Sequence, residues 1–288
     1  MIDDGSTQIV PNIKKAAVIT SAEMMIEPFG EHSFSELKTF YAEKMDAYNA
    51  EAYLLKGMPM LADLRAALLA GKKRNKPVYA EISVDSELTT SAGMAVDAAL
   101  ITLQSMGLAG LMIVSDNDDD VVDALCRLVR FSAIPLFAKL PKEKADNMRE
   151  MGVDVTFCDD LCLCDIPKSE KETALLLANE RQAFFLEHDT TEISDEIPCE
   201  ANMDEVLCEA SDEPYDILKI RLETPDDAVA FSNEAHMASL PVMFSSEDEI
   251  TIMLALMLYQ GRALIDSECV LSEEKLKKAV DKYGAVIY

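Results

Sequence analysis

The chain has no tryptophan and only three histidines in 288 residues, and its aromatic content is 6%. Single-stranded nucleic acid is held on platforms of stacked aromatic rings, which so few aromatics do not support. Basic residues are also scarce: 26 Lys and Arg face 53 Asp and Glu, a formal charge of −27. Phosphate backbones and anionic lipid surfaces need concentrated positive charge, so neither nucleic acid nor a membrane surface is an expected partner. No apolar run reaches about 18 residues, the length of a membrane-spanning helix. The opening Met1-Ile2-Asp3-Asp4-Gly5 lacks the basic and apolar regions of a signal peptide. A cytoplasmic location is the resulting expectation.

Apolar residues make up 49%, enough for a sizeable core in one large or two ordinary domains. Seven cysteines, an odd number in an intracellular chain, read as thiols or metal ligands rather than a disulfide framework.

From residue 16 to 157 short apolar runs alternate with helical patterns. Strands are expected at 16–20, 52–55, 77–82, 111–114, 134–138 and 153–157. Between them, Ser33 and Glu36 form a capping-box pattern ahead of Phe34, Leu37, Phe40, Tyr41, Met45 and Tyr48 at helical spacing. Leu61, Leu64, Leu68 and Leu69 form a second stripe, which Gly71 can stop. Further helices are expected at 94–106, 121–129 and 142–151. Strands apolar on both faces, alternating with helices, indicate a parallel sheet covered by helices. Periodicity leaves an open doubly wound sheet and a (β/α) barrel equally admissible. No glycine-rich phosphate loop follows the first strand, so a dinucleotide site has no support.

Residues 159–213 break the rhythm and read as a crossing, with a candidate strand at 181–187 and a candidate short helix at 203–210. Alternation then resumes, with strands at 217–222, 241–244, 263–265 and 285–287 and helices at 226–237, 249–259 and 272–283. The domain reading is therefore 1–165 and 166–288, the second a smaller α/β domain of about four strands.

Residues 16 to about 157 resemble the homocysteine S-methyltransferase family, the homocysteine-binding barrel of cobalamin-dependent methionine synthase. The residues that carry the resemblance are Glu27-Pro28-Phe29-Gly30-Glu31-His32-Ser33-Phe34 and Asp63-Leu64-Arg65-Ala66-Ala67-Leu68-Leu69-Ala70, together with strand order and spacing. It implies a partial TIM-type (β/α) barrel that begins near the family's third strand, followed by the smaller α/β domain. The family's D-G-A/G-M-G-T and N-T-F loops are missing, so two barrel strands are missing or supplied by another segment. A barrel open in this way exposes sheet edges. Either the C-terminal unit or a partner chain is then expected over the gap; alternatively the C-terminal strands complete the barrel.

Family members use zinc held by three cysteines to make the homocysteine thiolate available at neutral pH, since the thiolate is the nucleophile. One cysteine position falls at or near Ser115. The G-G-C-C position falls on Thr156-Phe157-Cys158-Asp159-Asp160, with one cysteine and no glycine. The substrate-loop glutamate aligns with Lys56. The resemblance thus implies a methyltransferase-like pseudoenzyme with eroded zinc and substrate motifs. Such a chain would act as an interaction or regulatory subunit near corrinoid or folate methyl transfer, with methyltransferase partner chains or as a homo-oligomer. An active enzyme with a relocated zinc site and a plain small-molecule binder are the alternatives. Residues 240–267 echo the pterin-binding barrel, whose pterin-contacting Asp and Asn align with Phe244 and Asp266.

Cys158, Cys162 and Cys164 form a C-x3-C-x-C cluster among acids, the best remaining metal candidate. Its plainer reading is core and loop thiols. Asp116-Asn117-Asp118-Asp119-Asp120 follows a strand but lacks the glycine and glutamate of a calcium loop, and reads as helix capping. His32, His188 and His236 are far apart and read as structural or exposed, and the sixteen methionines read as core filling. No cofactor is implied by an intact motif.

Overall fold

The computed structural model describes residues 15–158, 161–166, 168, 171, 174–187, 189–199, 202–269 and 271–288. The first half runs β1 (Ala16–Thr20), α1 (Phe34–Asp46), β2 (Ala52–Lys56), α2 (Leu61–Lys72), β3 (Val78–Ser83), α3 (Val96–Ser105), β4 (Gly110–Val114), α4 (Asp118–Leu128), β5 (Leu136–Ala138), α5 (Lys142–Glu150), β6 (Asp154–Cys158) and β7 (Leu161–Asp165). A hairpin of β8 (Leu175–Ala178) and β9 (Ala183–Leu186) follows. The second half runs β10 (Ile193–Pro198), α6 (Met203–Ser211), β11 (Ile217–Arg221), α7 (Pro225–Glu234), β12 (Val242–Ser245), α8 (Glu249–Leu258), β13 (Leu264–Ile265), α9 (Glu273–Tyr283) and β14 (Val286–Ile287). No helix among the described residues is long and apolar enough to cross a membrane.

The first sheet has the order β1-β2-β3-β4-β5-β7-β6, and its first five strands are parallel. Strands laid down in chain order by right-handed crossovers carry their helices on one face. Ala17, Ile19, Tyr53, Leu55, Val78, Ala80, Leu111 and Ile113 accordingly share one core with the helices. Ala52, Leu54, Tyr79, Met112, Phe137 and Leu161 form a separate cluster on the other face. Chain order across the five parallel strands excludes a doubly wound sheet, whose strand order reverses at a switch point. The sixth expected strand does not join β5: β7, inside the segment read as a crossing, inserts antiparallel between β5 and β6. A short connection such as that between β6 and β7 makes a hairpin, whereas a parallel return needs a crossover of a dozen residues or more.

The second sheet is parallel in the order β10-β11-β12-β13-β14. It has no ladder to the first sheet among the described residues, so these strands do not complete a barrel. The sheets instead meet through their helices. Helix α2 is the centre of that contact, with Leu61 to Gly71 buried throughout. The alanines between the leucine stripe pack on all sides, and the two charges in the run, Asp63 and Arg65, are both hydrogen-bonded inside. Gly71 does not stop the helix but sits inside it, where a Cβ would lie 2.4 Å from Val78 Cγ2. The stop comes later, and Asn75 takes φ 53°.

Arg65 of α2 is fully buried and reaches the end of α8, donating to Leu256 O at 2.8 Å, Met257 O at 3.3 Å and Gln260 Oε1 at 3.0 Å. Lys72 donates to Asp281 O of α9 at 2.8 Å. Cations at helix carbonyl ends complement the macrodipole, here from a neighbouring element. The β8–β9 hairpin bridges both halves: Ala95 N donates to Arg181 O at 3.0 Å, and Arg262 N to Ala178 O at 2.9 Å.

Candidate functional site

In chain-ordered α/β sheets, functional groups gather beyond the carboxyl ends of the strands, where loops converge on a rigid scaffold. A cavity of about 720 Å³ lies there, beyond β2, β3 and β4. Lys56, the last residue of β2, follows Ala52 and Leu54 on the face away from the helices. Glu81 stands on the same face of β3, one position past the Leu55–Ala80 pair of the register. Lys56 Nζ is 3.1 Å from Glu81 Oε1, with Glu81 nearly buried and Lys56 half exposed.

The second wall is the start of α4. Asn117 is its N-cap and accepts from Asp119 N at 3.1 Å, as its position before three aspartates suggests. Ser115 Oγ donates to Asp120 Oδ2 at 3.1 Å, and Asn117 Nδ2 donates to Asp120 Oδ1 at 3.0 Å. The acidic run is thus a helix start whose carboxylates also face the cavity. The third wall is the loop after β3. Asp85 Oδ1 accepts from Thr89 N at 3.1 Å and Glu87 N at 3.0 Å, and these bonds hold its carboxyl below the usual range. Thr90 Oγ1 donates to Pro59 O at 2.7 Å and ties this loop to the one after β2.

Four carboxylates, Glu81, Asp85, Asp116 and Asp120, therefore surround one ammonium, Lys56. The field inside favours a positively charged group. Seryl and threonyl hydroxyls add hydrogen-bonding capacity, but among the described residues no histidine or cysteine lines the cavity. Ser115 bonds a carboxylate and accepts from Asn117 N at 3.3 Å, an arrangement that caps α4 rather than activating a nucleophile. The chemistry available is binding and orientation of a small polar ligand, best one carrying an amino group.

Lys56 and Ser115, the two positions the resemblance singled out, both line this cavity. The cysteines do not. Cys162 and Cys164 lie on β7 and are buried in the helix-side core, where Cys162 Sγ donates to Ala138 O at 3.2 Å. A hydrogen bond with Cys162, reinforced by burial, pushes the Cys164 thiol up. Cys158 ends β6 opposite Leu161 in the register. Its side chain, Asp159 and Asp160 lie outside the described residues, as do His188 and Asp4-Gly5. Among the described residues no group of three His, Cys, Asp or Glu could hold a metal ion. The donor set of the strand-end cavity, without a thiol, does not fit a zinc–thiolate centre.

His32 pairs by its backbone with Ile26, and His236 meets Phe29 edge-on. Phe244 is fully buried and packed between Phe231 and Tyr259 in the helix-side core. Asp266 instead pairs with Lys219 at 2.8 Å beyond the second sheet, beside Glu196. Burial opposes its ionisation, but the Lys219 ammonium outweighs that and holds the carboxyl below its ordinary value.

Glu81 and Asp85 were not singled out by motif. The available signal was a lone charge in the apolar run Val78-Tyr79-Ala80-Glu81-Ile82, at the end where barrel-type sites lie. Comparison with protein-family models and with curated proteins finds no match for the chain.

Proposed function

We propose that this chain is a catalytically silent relative of the homocysteine S-methyltransferase barrel, an interaction or regulatory subunit for corrinoid- or folate-dependent methyl transfer. In this reading the first sheet is a (β/α) barrel shortened at its start, and its chain-ordered parallel strands support that descent. The observation that carries the reading is the Lys56–Glu81 ion pair, which stands where a substrate-binding glutamate is expected. The same cavity has Ser115 in place of a zinc cysteine. Among the described residues the cavity has no thiol to hold a zinc ion that would make a substrate thiolate available. Its acids and hydroxyls remain suited to holding an amino-bearing ligand, so the scaffold senses a ligand without transforming it.

The test adds the purified chain to a corrinoid- or folate-dependent methionine synthase and measures methyl transfer to homocysteine. A changed rate that Lys56→Glu or Asp120→Asn alters supports the regulatory role. An unchanged rate counts against it, and methionine formation by the chain alone would overturn the loss of catalysis.

A further inference from the structure

A second cavity, of about 330 Å³, opens between the loop after β1 and the α7–α8 pair. That volume is at the small end of ligand pockets, and a junction between packed units is a common place for one. Met60, Leu254, Met257 and Leu258 line it, so its body is apolar and adaptable. Met25, Phe29 and Val229 stand at the opening with 55%, 59% and 40% of their surface exposed. Large apolar side chains left in water around one opening mark a binding site. Phe29 is held there by an edge-on contact with His236, ring centroids 5.0 Å apart.

The charge around this cavity differs from that of the chain as a whole. Arg181 is exposed on its rim, and its backbone is fixed by bonds to Ala95 N and Asn179 Oδ1. Its guanidinium makes no ion pair or hydrogen bond with the described residues. Behind the wall lies Arg65, fully buried with no carboxylate partner among the described residues, 5.4 Å from the Phe34 ring and bonded to Gln260. Phe34 and Gln260 both line the cavity, and Arg65 Nε has no hydrogen-bond partner. Glu27 and Glu180 share the rim, two carboxylates to one guanidinium, so an anion is favoured only in direct contact with Arg181 and a second negative charge is opposed.

We propose that this cavity binds a small organic monoanion with an apolar body, an aliphatic or aromatic carboxylate, whose acid group pairs with Arg181. The apolar body would touch Met60 at the start of α2 and Leu254 of α8, so the ligand would clamp the two helix layers together. The proposal does not depend on the function assigned to the strand-end cavity.

The experiment titrates the full chain with 8-anilinonaphthalene-1-sulfonate, followed by fluorescence, and then competes the probe with decanoate or 1-decanol. Saturable binding at a single site is expected, with decanoate competing about tenfold better than decanol, the value of one modest charge contact. Ser232→Trp and Val229→Trp, both on the cavity wall, should abolish binding. Arg181→Gln should erase the preference for decanoate while leaving decanol competition unchanged. Saturable binding that survives both tryptophan variants, or no saturable binding, overturns the site. Equal competition by decanoate and decanol in the unaltered chain overturns its anion preference. Should Ser232→Trp fail to fold, Val229→Trp, at a half-exposed position, decides alone.

Discussion

Lys56 Nζ lies 3.1 Å from Glu81 Oε1 across the step from β2 to β3, a cation and an anion side by side at the carboxyl end of the first sheet. The pair is asymmetric: Lys56 keeps 52% of its side-chain surface in water and Glu81 only 10%. Its role differs accordingly for the two residues. Lys56 stays largely solvated, whereas the Glu81 carboxylate is nearly enclosed and has the ammonium as its ion-pair partner.

Lys56→Ala should therefore lower stability by about 1 kcal/mol, screened on the lysine side but leaving Glu81 without its partner. Adding Glu81→Gln should recover most of that loss, because the uncompensated charge goes with it. Urea unfolding of the single and double variants checks the sign, and no recovery would mean the pair is not coupled.

Asp63 accepts hydrogen bonds from Tyr41 Oη and from Ser21 Oγ, the latter at 3.3 Å, and burial raises its pKa above 3.8. The folded state thus holds this proton more tightly than the unfolded chain does. Stability from this group is complete below the unfolded value and is lost as pH rises through the folded one. Asp63→Asn has no such proton. Its stability relative to the parent should rise as pH climbs from below 3.8, which unfolding midpoints across acidic pH would show.

The alternation of strands and helices was legible in the sequence because buried parallel strands are continuous apolar runs. The capping box at Ser33 and Glu36 was legible too, and it forms with both reciprocal bonds. The β6–β7 hairpin was not, because Cys162 and Cys164 read as metal ligands or as core and loop thiols, and nothing in Leu161-Cys162-Leu163-Cys164 names the antiparallel partners on either side. At the candidate site, the resemblance singled out the positions of Lys56 and Ser115, and both line the cavity. Glu81 needed the register, since only the pairing of β2 with β3 brings it beside Lys56. The meeting of the sheets through helices was invisible for a similar reason: an all-buried helix such as α2 does not reveal what lies on its far side.

Arg65→Leu should cost about 2 kcal/mol. Removing the buried charge relieves its desolvation, but Leu256 O, Met257 O and Gln260 then lose a charged donor in a closed interior. Hydrogen exchange should also quicken at the end of α8 more than in β3. Uniform exchange changes would count against a local latch.

Gly71→Ala should destabilise, against the ordinary trend. Alanine in a helix interior gains about 1 kcal/mol over glycine. Here the new Cβ would lie 2.4 Å from Val78 Cγ2, and overpacking of this kind costs about 1–3 kcal/mol. Gly71→Ala with Val78→Ala should lose the clash, and thermal unfolding of both variants distinguishes strain from propensity.

The central claim is that this chain holds no zinc centre that activates a thiol. Its most direct test is the zinc content, by mass spectrometry, of reduced full-length protein incubated with zinc and dialysed without chelator. The account predicts far less than one zinc per chain. About one zinc per chain, lost when Cys158, Cys162 and Cys164 are all replaced by serine, would contradict it and mark a rebuilt metal site.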